Sequence, residues 1–123
     1  MDALIIEPDL LTPRIVFDPS QGKFEISEKS LPEDALAFYL PIIKWLEKYS
    51  LSPNEETNVD FKLEYFNTAS SRMLYKLFSV LRDVSEKSKV SINWHYKKED
   101  TDMLASGKRF DQLIKTPFVF IES

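Results

Sequence analysis

The pattern that most restricts the fold is a repeated change of hydrophobic period along the chain. Val59, Phe61, Leu63 and Tyr65 alternate with Asp60, Lys62 and Glu64, and Val90, Ile92, Trp94 and Tyr96 alternate with Ser91, Asn93, His95 and Lys97. Such period-two runs read as strands with one buried face. Between and after them, Met73, Leu74, Leu77, Phe78, Leu81 and Val84, and then Met103, Leu104, Phe110, Leu113 and Ile114, recur at helical spacing. Phe118 to Ile121 closes the chain as a further strand beyond Pro117.

Upstream, Arg14 to Asp18 and Lys23 to Ser27 flank Pro19-Ser20-Gln21-Gly22, which predicts a β-hairpin with Gly22 available for positive φ. Leu4-Ile5-Ile6 adds a short edge strand. Ser30-Leu31-Pro32-Glu33 has capping-box spacing, and a helix is expected to follow through about Ser50. Its apolar stripe is Ala35, Leu36, Tyr39, Leu40, Ile43, Leu46 and Tyr49, with a kink expected at Pro41. Strands separated by helices predict right-handed crossovers and a largely parallel sheet. Lys23/Glu25, Asp60/Lys62/Glu64 and Ser91/Asn93/His95 mark one polar sheet face. The expected architecture is a single α/β domain over residues 1–123. It has two layers: a mixed, mostly parallel sheet opened by the hairpin, with helices packed mainly on one face and the other face solvated or open to a partner.

Composition removes several chemistries. With no Cys, one His and two Gly, the chain can build neither a thiolate nor a multi-histidine metal site, and neither a P-loop nor a Rossmann fingerprint. No cofactor or metal is expected. A net charge of -4 without a basic block argues against nucleic acid as a partner. The N-terminus lacks a basic n-region, and no run has the length of a membrane span, so a cytoplasmic domain without membrane insertion is expected.

Asn67-Thr68-Ala69-Ser70-Ser71-Arg72 carries more hydroxyls than a helix cap uses. Placed between the carboxyl end of a strand and the positive end of a helix, they would tolerate an anion or a phosphorylated side chain; an N-cap with spare hydroxyls is the plainer reading. His95 falls on the polar sheet face and reads as surface, and Glu99-Asp100-Asp102 reads as a helix N-terminal charge cluster without EF-hand spacing. Most aromatics fall in the apolar registers; Phe38 and Phe66 are the exceptions. Phe66 leaves the alternation of its strand just before the hydroxyls, either as an exposed interface residue or tucked under the turn.

The block Asp60 to Met73 resembles the signature of the SiaC family of bacterial regulatory phosphoproteins. Further matches are Phe38-Tyr39-Leu40-Pro41 with Trp45-Leu46, Ile92-Asn93-Trp94-His95-Tyr96, Asp102-Met103-Leu104-Ala105-Ser106-Gly107 and Pro117 to Glu122. The resemblance implies a STAS-like fold akin to anti-sigma factor antagonists, and a non-enzymatic partner switch. A dedicated protein kinase would phosphorylate Thr68 and a PP2C-type phosphatase would remove the phosphate. The unmodified form would bind a downstream target such as a diguanylate cyclase, linking the switch to cyclic di-GMP and biofilm behaviour. The partner-binding residues so implied are Glu64, Phe66, Asn67, Thr68, Ser70, Ser71 and Arg72. Ala69 stands where another serine is expected, and Lys97-Lys98 and Lys108-Arg109 stand where relatives are usually acidic. Two other readings are a small hydrolase using the hydroxyls of Thr68, Ser70 and Ser71 with His95 or Glu64, and a homodimer pairing through the open sheet face.

Overall fold

The computed structural model describes residues 1–123. Its strands are β1 (Leu4–Ile6), β2 (Arg14–Asp18), β3 (Lys23–Ser30), β4 (Glu56–Phe66), β5 (Lys89–Tyr96) and β6 (Phe118–Glu122); its helices are α1 (Ala35–Tyr49), α2 (Thr68–Val84) and α3 (Thr101–Ile114). The strands form one six-stranded sheet in chain order. The first two pairings are antiparallel and the next three parallel. The β2–β3 turn uses Gly22 at φ 63, as its sequence required.

Each parallel neighbour is reached through one helix, and right-handed crossovers between consecutive strands place all the helices on the same side. Burial agrees. Ile15, Phe17, Phe24, Ile26, Val59, Phe61, Val90, Ile92 and Trp94 are buried beneath the helices, while Asp60, Lys62, Asn93 and His95 alternate onto the open face.

Three local expectations are corrected. Ser30 does not cap α1: it is the last residue of β3, and Asp34 caps the helix by accepting from the Ala37 amide at 3.0 Å. Ser30 is instead fully buried and serves a different contact. The α1 stripe is rotated toward Ile42, leaving Leu36 and Leu40 exposed. The helix assignment is continuous through Pro41, where the missing ladder bond would have gone to the carbonyl of solvent-exposed Ala37.

The third correction lies at the end of β4. The register between β3 and β4 shifts at Glu28/Lys29, where Glu28 takes a left-handed φ of 76 and the pairing passes from Leu63 to Tyr65. This bulge reverses which residues face the core. Tyr65 is therefore exposed, and Phe66 turns inward to meet Trp94 edge-on at 6.1 Å and Phe110 at 6.2 Å. Of the two readings of Phe66, the tucked one holds. Phe38 likewise packs edge-on against Tyr39 at 5.0 Å.

Trp94 organises the helix side of the sheet. Its ring contacts those of Phe61, Phe66, Phe78, Phe110 and Phe118, and its indole N–H donates to the Met103 carbonyl at 2.9 Å. Gly107 of α3 lies directly on this ring: a Cβ there would stand 2.5 Å from two indole atoms. In an exposed helix, replacing glycine with alanine stabilises by about 1 kcal/mol. Here overpacking against a hydrogen-bonded indole, with a typical cost of about 1–3 kcal/mol, outweighs that gain. Gly107→Ala is expected to lower the urea midpoint and shift tryptophan fluorescence, and a variant more stable than the parent would contradict the packing described.

Candidate functional site

Strand β4 passes into α2 through a single residue. Asn67, extended at φ -85 and ψ 174, accepts from the Ser70 amide at 2.8 Å and is the N-cap. The cap thus needs neither the threonine nor the serines, and the structure assigns each hydroxyl a separate environment. Ser70 is fully buried, Ser71 is half-buried, and Thr68 is exposed at the first helical position.

Ser70 belongs to a buried hydroxyl chain. Its Oγ lies 3.0 Å from the Ser30 carbonyl and 2.8 Å from Ser30 Oγ, which in turn lies 2.5 Å from the Tyr39 hydroxyl. One proton arrangement satisfies all of them: Tyr39 donates to Ser30 Oγ, Ser30 Oγ to Ser70 Oγ, and Ser70 Oγ to the Ser30 carbonyl. That carbonyl also accepts from the Asn67 amide at 3.1 Å. The end of β3, the first turns of α1 and the start of α2 are therefore bound through one serine. Sequence reading missed Ser30 and Tyr39, since the partner of Ser30 lies 40 residues away.

Burial pushes the Tyr39 hydroxyl up from 10.0 to about 12, against the opposing hydrogen bonds of Ser30 and Ser70. A folded-state value above the unfolded one means that the native protein holds its proton while the unfolded chain releases it. Stability from this source is fully present below about pH 10 and is lost as pH rises toward about 12.

The open sheet face holds a second polar group. Asp60 Oδ1 receives Asn93 Nδ2 at 3.2 Å and lies 2.9 Å from His95 Nε2; Lys62 pairs with Glu25 at 3.4 Å. The register of β4 against β5, with Asp60 beside Asn93, makes these contacts. His95 and Glu64 line a cleft with Lys62, Lys97 and Asp100. Asp100 itself caps α3 by accepting from the Met103 amide at 2.9 Å, as the acidic cluster led one to expect.

The expected site residues are thus divided. Asn67, Thr68, Ser70, Ser71 and Arg72 occupy the first turns of α2, Phe66 packs beneath them, and Glu64 faces the other side of the sheet with His95. His95 lies on the open face of the sheet and the buried Ser70 on the helix side, so these two do not form a nucleophile and base in hydrogen-bond reach.

The SiaC family model, described as a regulatory phosphoprotein, matches residues 6–123. The chain belongs to the SiaC family. It is 24% identical over 108 residues to an uncharacterized protein of Pseudomonas aeruginosa (strain UCBPP-PA14), covering 87% of this chain and 86% of that one. The crystal structure of apo-SiaC from Pseudomonas aeruginosa superposes with a TM-score of 0.88 at 24% identity, covering 98% of this chain and 99% of the other. A chain in the crystal structure of the diguanylate cyclase SiaD in complex with its activator SiaC, from the same organism, gives 0.89 at 23% identity, with 98% and 99% covered. The six-stranded sheet with one helical layer is therefore the SiaC fold.

Tyr39→Phe removes the titrating group and keeps the ring. Between about pH 10 and 12 the parent is expected to lose roughly 2–3 kcal/mol more stability than this variant in urea unfolding. Parallel pH profiles for the two proteins would contradict the assignment.

Proposed function

We propose that this chain is a non-enzymatic, cytoplasmic partner switch controlled by phosphorylation of Thr68. The observation that carries the reading is the division of labour at the start of α2. Asn67 supplies the cap, Ser70 is committed to Ser30 and Tyr39, and Thr68 alone of the block's hydroxyl residues is exposed. A kinase can reach it without unfolding the helix. The kinase transfers the γ-phosphoryl of ATP to Thr68 Oγ1, with loss of the hydroxyl proton and release of ADP. A PP2C-type phosphatase returns the hydroxyl by hydrolysis, releasing inorganic phosphate.

The phosphate adds about -1.5 to -2 charges. At a helix N-terminus that charge meets the positive end of the dipole and free amides, so the fold tolerates it. A partner packed against Thr68 meets instead a bulky, hydrated dianion, and its contact is lost. The unmodified form binds and controls a downstream target. Membership of a family of regulatory phosphoproteins supports the modification, and the complex of SiaC with SiaD supports a diguanylate cyclase as the class of target.

Incubation with the cognate kinase and ATP is expected to add one phosphate by intact mass, and Thr68→Ala, still folded by circular dichroism, is expected to add none. Equal labelling of Thr68→Ala would refute the assignment. Phosphorylation is further expected to weaken cyclase binding by roughly tenfold or more, which corresponds to about 1.4 kcal/mol.

A further inference from the structure

The start of α2 faces a shallow cleft that the partner switch as described leaves unused. Ser71, one turn along the helix from Thr68, lines it together with Ser106, Arg109, Phe110 and Leu113 of α3. Arg109 does not point away from this place. Its guanidinium donates to Ser106 Oγ at 3.2 Å, three residues back toward the start of α3. Because α2 and α3 both begin at the carboxyl ends of parallel strands, that direction leads toward the end of the molecule where Thr68 lies. On α2 itself, Arg72 follows Thr68 by four residues, and helical side chains lean toward the N-terminus, over the preceding turn.

Neither arginine is held by a carboxylate. The protein's ion pairs are Arg14 with Glu7, Lys62 with Glu25 and His95 with Asp60. The other residues lining the cleft are neutral, and Asp102 lies on α3 one turn before Ser106. Arg109 thus lines the cleft beside Ser71, and Arg72 follows Thr68 by one turn of α2, with neither guanidinium neutralised by a carboxylate.

We propose that Arg72 and Arg109 form an internal receptor for the phosphomonoester on Thr68, so that phosphorylation ties the start of α2 to α3. The inference rests on Thr68 as the phosphoacceptor and goes beyond it: the modification acts by drawing two helices together across the Ser71 cleft as well as by repelling a partner. The chemistry suits the ligand, since a guanidinium offers paired N–H donors matched to phosphate oxygens. Arg109 exchanges a neutral hydroxyl acceptor for a dianion.

The test installs phosphothreonine at position 68 during translation, which makes it independent of any kinase, and follows the phosphate's second ionisation by phosphorus NMR. A nearby guanidinium favours the dianion and lowers the midpoint. Relative to the parent, Arg72→Gln and Arg109→Gln are each expected to raise the midpoint by about half a pH unit, the size expected for one partly screened charge a few ångströms away. Arg109→Lys is expected to restore part of the Arg109 effect. Both arginines are exposed, so the unmodified variants should melt with the parent. A midpoint identical in parent and Arg109→Gln would overturn the two-helix receptor. Failure of a kinase to label Thr68 would overturn only the parent reading of the acceptor, which the installed phosphate does not test.

Discussion

The buried chain of hydroxyls through Ser30 is the constraint on which the arrangement around Thr68 depends. A helix that begins one residue after a strand has little freedom to choose its direction, and the residue that fixes it here comes from a neighbouring strand. Ser30 offers a carbonyl to Asn67 and Ser70 and a hydroxyl to Ser70 and Tyr39. Removing any of these groups strands a buried polar atom, which typically costs about 1–3 kcal/mol. The opposite end of α1 repeats the device: the Tyr49 hydroxyl meets Thr57 Oγ1 at 2.8 Å, and Thr57 meets Ser88 Oγ at 2.7 Å. Helix α1 is thus pinned by tyrosines near both ends, through β3 to the start of α2 at one and through β4 to the turn before β5 at the other.

This arrangement separates two demands made on one short block of hydroxyl residues. The buried serine does structural work and cannot be modified without dismantling the junction. The exposed threonine contributes nothing to the cap and is free to carry charge. Because the cap belongs to Asn67, a phosphate on the next residue leaves the helix start intact. The same principle governs Trp94 and Gly107, where an apolar surface without a side chain on α3 lets the indole reach the Met103 carbonyl.

Much of this was legible in the sequence, and what was not has identifiable causes. Alternation marked β4 and β5 because one face of the sheet is open, so polar residues interrupt every apolar run. The hairpin was legible because Gly22 stands where the turn needs a positive φ. Tyr65 was assigned to the core face, and the choice between the two readings of Phe66 stayed open, because the register shift falls beside Glu28, a residue with no special turn chemistry, in a different strand. Ser30 satisfied a local capping pattern while its real partners were remote in sequence. The Asp60–His95 contact needed the pairing register of two strands, which no local pattern encodes. The location of the hydroxyl block was legible, and the allocation of one hydroxyl to the core and one to solvent was not.

The strict chain order of the sheet has a consequence for how the molecule comes into being. Every strand after the first pairs with the one synthesised just before it, so no segment must wait for a distant edge to appear. As the polypeptide leaves the ribosome, each completed strand can add to a growing edge while its crossover helix covers the newly laid surface. The hydroxyl junction closes only when α2 has emerged, because Ser30 and Tyr39 have no Ser70 to meet until then. Thr68 therefore takes its exposed place once the nascent chain has completed its fourth strand and the first turns of the next helix. The aromatic layer of α3 and β6 still has to be laid down after it.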